Sequence, residues 1–150
     1  MKKSRGRAVT VSVRSTQTDE NGKNRICFQT DGMLDTSHPE YYLEYKEPVE
    51  NDMTACTVEI TFSENHCTVR KSGACRTLMK FSKDAQEEKY ETEYDTLLGS
   101  FTLTLTNTRF RTEEKNGCVT LFLEYTACFK GLDEQQIKMR IDVKEVSESE

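Results

Sequence analysis

Five side chains stand where they could do chemistry: Tyr45, Glu47, Lys71, Tyr94 and Arg109. Each lies at or near the end of a run in which apolar residues alternate with polar ones. Tyr41, Leu43, Tyr45 and Glu47 share one side of such a run, and Cys67, Val69 and Lys71 share one side of another. Tyr90, Thr92 and Tyr94 form a third set; Phe101, Leu103, Leu105, Asn107 and Arg109 form a fourth. If the apolar members face inward, the polar ones go with them and gather at one opening. An apolar wall topped by converging polar groups is the usual build of a small-molecule site. Read as catalysis, the same set gives Glu47 or Tyr94 as acid/base beside Lys71. The plain alternative makes Glu47 and Lys71 solvated rim charges or a structural pair, with the tyrosines as core filler. Arg109 depends on strand parity, because a bulge near Asn107 and Thr108 would turn it outward.

Other constellations are poorly supported. A Ser/His/acid triad would have to use His38 or His66, and both fall in predicted turns. A glycosidase-like carboxylate pair needs two inward acids, and Glu47 alone qualifies. The seven glycines are scattered singly, so no phosphate-cradling loop is expected. No C-x-x-C pair occurs, and adjacent His66 and Cys67 would point to opposite faces of a strand, so no metal is expected. No cofactor is expected either. Cys118 and Cys128 lie opposite Val119, Leu121 and Leu123, where exposed thiols would suit oxidation sensing.

These residues need strands to position them. Strict alternation runs through Val9/Val11/Val13, Tyr41/Leu43/Tyr45, Cys56/Val58/Ile60/Phe62, Phe101/Leu103/Leu105, Val119/Leu121/Leu123 and Ile137/Met139/Ile141/Val143. Period two means half-buried strand, since successive Cβ atoms face opposite sides of a sheet. Nineteen Thr against five Ala suit strands and starve helices. Asn21-Gly22, Asn116-Gly117 and Ser72-Gly73 supply tight turns, Gly131 ends a long strand, and Pro39 and Pro48 flank the tyrosine-rich one. Ten strands are expected, at roughly 8–18, 25–34, 40–47, 54–63, 66–72, 74–82, 89–95, 101–111, 117–130 and 135–145. Residues 83–89 lack an apolar stripe and read as a loop. The fold class is therefore all-β, an antiparallel up-and-down closed barrel of about 8–10 strands, with a sandwich as the alternative. Residues 1–7 read as a flexible basic arm, 8–146 as one barrel domain and 147–150 as a disordered tail.

The chain has 150 residues, 35% hydrophobic and 31% charged, with a net charge of −5. That length buries enough core for one domain without staples. The six cysteines are therefore expected as free, mostly buried thiols. The negative charge argues against binding nucleic acid or anionic lipid. The N-terminal Lys2, Lys3, Arg5 and Arg7 have no stacking aromatics beside them, so they read as a solubilising end. No apolar stretch is long enough for a bilayer, and the alternating residues after Arg7 form no signal-peptide core. The expected location is the cytoplasm.

Thr30-Asp-Gly32, Tyr42-Leu43-Glu-Tyr45-Lys-Glu47, Lys71-Ser72-Gly73-Ala74 and Tyr94-x-x-Leu-Leu98-Gly99 recur in an order that resembles the YwiB-like family of uncharacterised bacterial proteins. The resemblance covers roughly residues 8 to 145 and implies bacterial origin and a calycin-like (lipocalin-like) β-barrel. It brings no established activity. Lys71 stands where the family usually has Arg, which keeps the charge but loses the planar bidentate fork. Leu98 replaces the family's usual aromatic.

Three functions are compatible with these residues. The first is a noncatalytic barrel binding a small, partly apolar ligand at its mouth, with Tyr45, Lys71 and Tyr94 anchoring the polar end. An interior filled by Phe28, Tyr45, Phe62, Phe81 and Tyr125 would exclude it. The second is an enzyme using Glu47, Lys71 and Tyr94, which no catalytic motif supports. The third is a protein–protein scaffold with an outer patch around Leu78, Phe110 and Phe122.

Overall fold

A computed structural model describes residues 6–47, 56–73, 75–82, 90–96, 99–129 and 134–146. The expected arm before residue 6, Pro48, the loop at 83–89, Leu98, Gly131 and the tail at 147–150 lie outside the described residues. Ten strands follow one another: β1 (Arg7–Asp19), β2 (Gly22–Asp35), β3 (Tyr41–Glu47), β4 (Cys56–Phe62), β5 (His66–Gly73), β6 (Cys75–Ser82), β7 (Tyr90–Thr96), β8 (Gly99–Lys115), β9 (Cys118–Phe129) and β10 (Gln135–Glu145). Every expected strand is present. Each pairs antiparallel with its sequence neighbours, and β1 closes on β10 through Val9↔Glu145 to Thr18↔Gln136. Closure gives every strand a neighbour on both sides, so alternation alone suffices to make a core.

That core is the inward half of each alternation. Val9, Val11 and Val13 of β1 are buried, as are Val58, Ile60 and Phe62 of β4 and Leu121, Leu123, Ile141 and Val143 of β9 and β10. Each such side chain contributes about 1.5–3 kcal/mol of transfer free energy. Arg7 is part of β1 rather than of an arm: it pairs with Leu34 across β2 and forms an ion pair with Glu145.

Turns set the register. Asn116 and Gly117 have φ of 52° and 78°, the left-handed geometry that suits a two-residue hairpin between Lys115 and Cys118. The first hairpin is shifted one residue from expectation. Asp19 pairs with Gly22, so Glu20 and Asn21 form the loop, and the Asp19 carboxylate accepts from the Asn21 N–H at 2.8 Å. A side chain has captured the turn.

Two irregularities matter. The β8–β9 register shifts between Thr106 and Arg109, and parity inverts across it: Leu103 and Leu105 are buried before it, Thr108 and Phe110 after it. Between β6 and β7, the described ladder pairs only Cys75 with Thr96 and Arg76 with Asp95. Beyond that point the Thr92 hydroxyl donates to the Leu78 carbonyl at 2.8 Å.

Candidate functional site

The ladder pairs Gly32 with Tyr45, Tyr45 with Val58, Val58 with Lys71 and Lys71 with Thr77. One inward row therefore crosses five strands from β2 to β6. Because like parity means like face, Tyr45 and Lys71 flank Val58 inside the barrel. Glu47 is two residues beyond Tyr45, and its Oε2 lies 3.0 Å from Lys71 Nζ. Tyr94 approaches from β7, its ring edge-on to Phe129 with centroids 5.4 Å apart. All four groups lie at the barrel end formed by the start of β4, the end of β5 and the start of β6.

Electrostatics and burial keep Lys71, Tyr45 and Tyr94 protonated. Burial opposes the ammonium of Lys71, but the Glu47 carboxylate, helped by Tyr94 and Tyr125, more than offsets that and holds its pKa above the ordinary value. Burial raises Tyr45 well above a free phenol, against the lowering influence of Lys71. Tyr94 is pushed up to about 12, chiefly by burial, with Lys71 acting the other way. The Glu47–Lys71 pair is only partly solvated, with side chains 28% and 19% exposed.

Beneath the pair is a cavity of about 140 Å³. Its walls include Val58, Ile60, Val69, Phe81, Leu123 and Ile141, and its polar groups are Ser15, Gln17, Tyr45, Glu47, Lys71 and Tyr125. Aromatic rings fill the opposite end instead, where Phe62 packs against Tyr41 and Phe110 at centroid distances of 5.5 and 6.3 Å. Phe28 with Tyr45, and Phe81 with Tyr125, line the cavity without closing it. These rings thus leave part of the interior hollow at the Lys71 end.

Of the five residues singled out from the sequence, Tyr45, Glu47 and Lys71 line the cavity, and Tyr94 stands beside it without lining it. Arg109 does not join them. The bulge turns it outward, exposed and paired across the ladder with Glu124. The same inversion removes the expected outer patch, because Phe110 is wholly buried. Phe122 is half-buried beneath the guanidiniums of Arg111 and Arg140, at 4.0 and 5.5 Å from its ring centroid. His38 is exposed, and exposed His66 opens β5 with Nε2 2.9 Å from Glu40. Tyr90 lies on β7, but its side chain is outside the described residues. Cys118 and Cys128 are half-buried rather than exposed.

Sequence reasoning missed Ser15 and Gln17, although both follow Val9, Val11 and Val13 in parity. It also missed a thiol pair: Cys56 and Cys75 face each other with their sulfurs 3.0 Å apart. Parity could have found the first two. Nothing in the spacing of the cysteines signals the third, because it depends on how β4 and β6 meet over the turn at Gly73.

No curated protein matches the chain. The crystal structure of the ywiB protein from Bacillus subtilis superposes with a TM-score of 0.80 at 19% identity, over 95% of this chain and 94% of that one. That likeness carries the fold and bears out the resemblance read from the motifs. The family described as Domain of unknown function (DUF1934) matches residues 11–141, and the protein belongs to that family.

Proposed function

We infer that the protein is a binding barrel that takes a small, partly apolar, uncharged molecule beside the Glu47–Lys71 pair. The observation that carries this reading is the cavity of about 140 Å³, apolar along its walls and polar at one end. An apolar protein cavity of about 150 Å³ holds one benzene-sized molecule, so the ligand is of single-ring size. Lys71 and Glu47 neutralise each other, which favours a hydroxyl or amide over a net charge at the ligand's polar end. Catalysis is less well supported. A lysine acting as a base near neutral pH needs a lowered pKa, and Lys71 is shifted upward.

Methyl-detected NMR titration with phenol, benzyl alcohol and benzoate tests the inference. The two alcohols should perturb Val58, Ile60, Val69 and Leu123 and saturate, with Kd on the order of micromolar to millimolar for so few atoms. Benzoate should bind more weakly. Val69→Phe, which fills the cavity, should abolish the response while the spectrum stays folded. Absence of saturable shifts with every probe would overturn the reading.

A further inference from the structure

Cys56 opens β4 and Cys75 opens β6, with β5 between them. The strands meet because β5 ends at Gly73, directly opposite Cys56, and the chain re-enters the sheet at Cys75. Cys56 is buried and Cys75 half-buried, and the two sulfurs are 3.0 Å apart. A disulfide needs about 2.05 Å, so closing the pair asks for a movement of about 1 Å. Tyr94 and Lys71 both act electrostatically on the Cys75 thiol, and Lys71 acts on Tyr94 as well. The thiol pair is therefore joined to the mouth of the cavity.

We propose that Cys56 and Cys75 are a reversible dithiol/disulfide site, oxidised by hydrogen peroxide, at the cavity mouth. Cys75 is the more accessible sulfur and reacts first. Its thiolate attacks one peroxide oxygen and the O–O bond breaks. The departing hydroxide takes up the thiol's proton as water, leaving a sulfenic acid. The Cys56 sulfur then attacks that sulfur, the S–O bond breaks and the S–S bond forms. The second hydroxide leaves with the Cys56 proton as another water molecule. The cysteines give up two electrons and the peroxide accepts them. Burial, with the neighbouring Cys56, raises the Cys75 thiol, so the first step quickens as pH rises. Oxidation removes the ionisable Cys75 thiol on which Tyr94 and Lys71 act, which reports the redox state to the site.

The test uses the whole chain, reduced and freed of reductant, then treated with an equimolar amount of hydrogen peroxide and quenched with N-ethylmaleimide. Non-reducing peptide mass spectrometry should find Cys56 linked to Cys75 at least about tenfold ahead of any other pairing, since a tethered partner is presented at an effective concentration on the order of millimolar. Dithiothreitol should restore both thiols. Cys27→Ser, at an exposed position, should leave the link intact, and Cys75→Ser should leave Cys56 alkylated. Recovery of both thiols alkylated in the wild type, with oxidation confined to Cys27 or to links between molecules, would overturn the proposal. The wild-type map decides this even if Cys75→Ser fails to fold.

Discussion

Lys71 Nζ lies 3.0 Å from Glu47 Oε2, and the pair is set into a wall of valine, isoleucine and leucine. The pair is neutral as a unit, yet removing either partner strands a charge with little water around it. Lys71→Met is expected to cost about 1–3 kcal/mol, less than a fully buried pair because both ends keep some solvent. Glu47→Gln should cost a similar amount, whereas the double variant should lose less than the sum. Urea denaturation of all four proteins checks this, and strictly additive losses would show that the two groups do not interact.

Alkali should unfold the protein through the same end of the barrel. The unfolded chain releases the Tyr94 proton near pH 10.0 and the Lys71 proton near 10.5. The folded chain keeps the first to about 12 and the second beyond its ordinary value. Between those limits the folded form binds more protons, so its stability is full below pH 10 and falls as the pH climbs. Urea midpoints measured from pH 8 to 12 should decline chiefly above pH 10, and Tyr94→Phe should flatten the decline.

Gly32 holds Tyr45 in place by having no side chain. A Cβ there would lie 2.7 Å from the Glu44 carbonyl oxygen, 2.9 Å from Val11 Cγ2 and 3.2 Å from Tyr45 Cβ. Gly32→Ala must push β3 away from β2, at an expected cost of about 1–3 kcal/mol. Thermal denaturation gives the cost, and NMR shifts at Tyr45 and Val58 should reveal the displacement.

Two phenylalanines of opposite parity should separate cleanly. Phe110 is wholly buried, so Phe110→Ala should lose about 3–5 kcal/mol. Phe122 is half-buried under two arginines, and Phe122→Ala should lose about 1–2 kcal/mol of packing and cation–π contact. Equal losses in urea denaturation would contradict the inversion of β8.

Period two is a local property, and the sequence carries it openly. That is why all ten strands, and the shared faces of Tyr45, Glu47 and Lys71, are legible in the sequence. Parity counts forward from a fixed residue, however, and one extra residue resets the count. The shift after Thr106 put Arg109 outside and Phe110 inside for that reason. Lateral relations are harder still. The row from Gly32 to Thr77 and the meeting of Cys56 with Cys75 depend on which residues stand side by side in different strands. Turn chemistry sets that stagger only locally, and at Asp19 a side chain moved it by one.

The ladder between β6 and β7, sparse among the described residues, makes the cylinder unequal around its girth. A hoop under strain parts at its weakest stave, and here the stave adjoins Thr77, next to Lys71 in the row that builds the cavity wall. Backbone amides along that seam should exchange with solvent sooner than those of β1, β2, β9 and β10, whose mutual ladders each run through at least ten residue pairs.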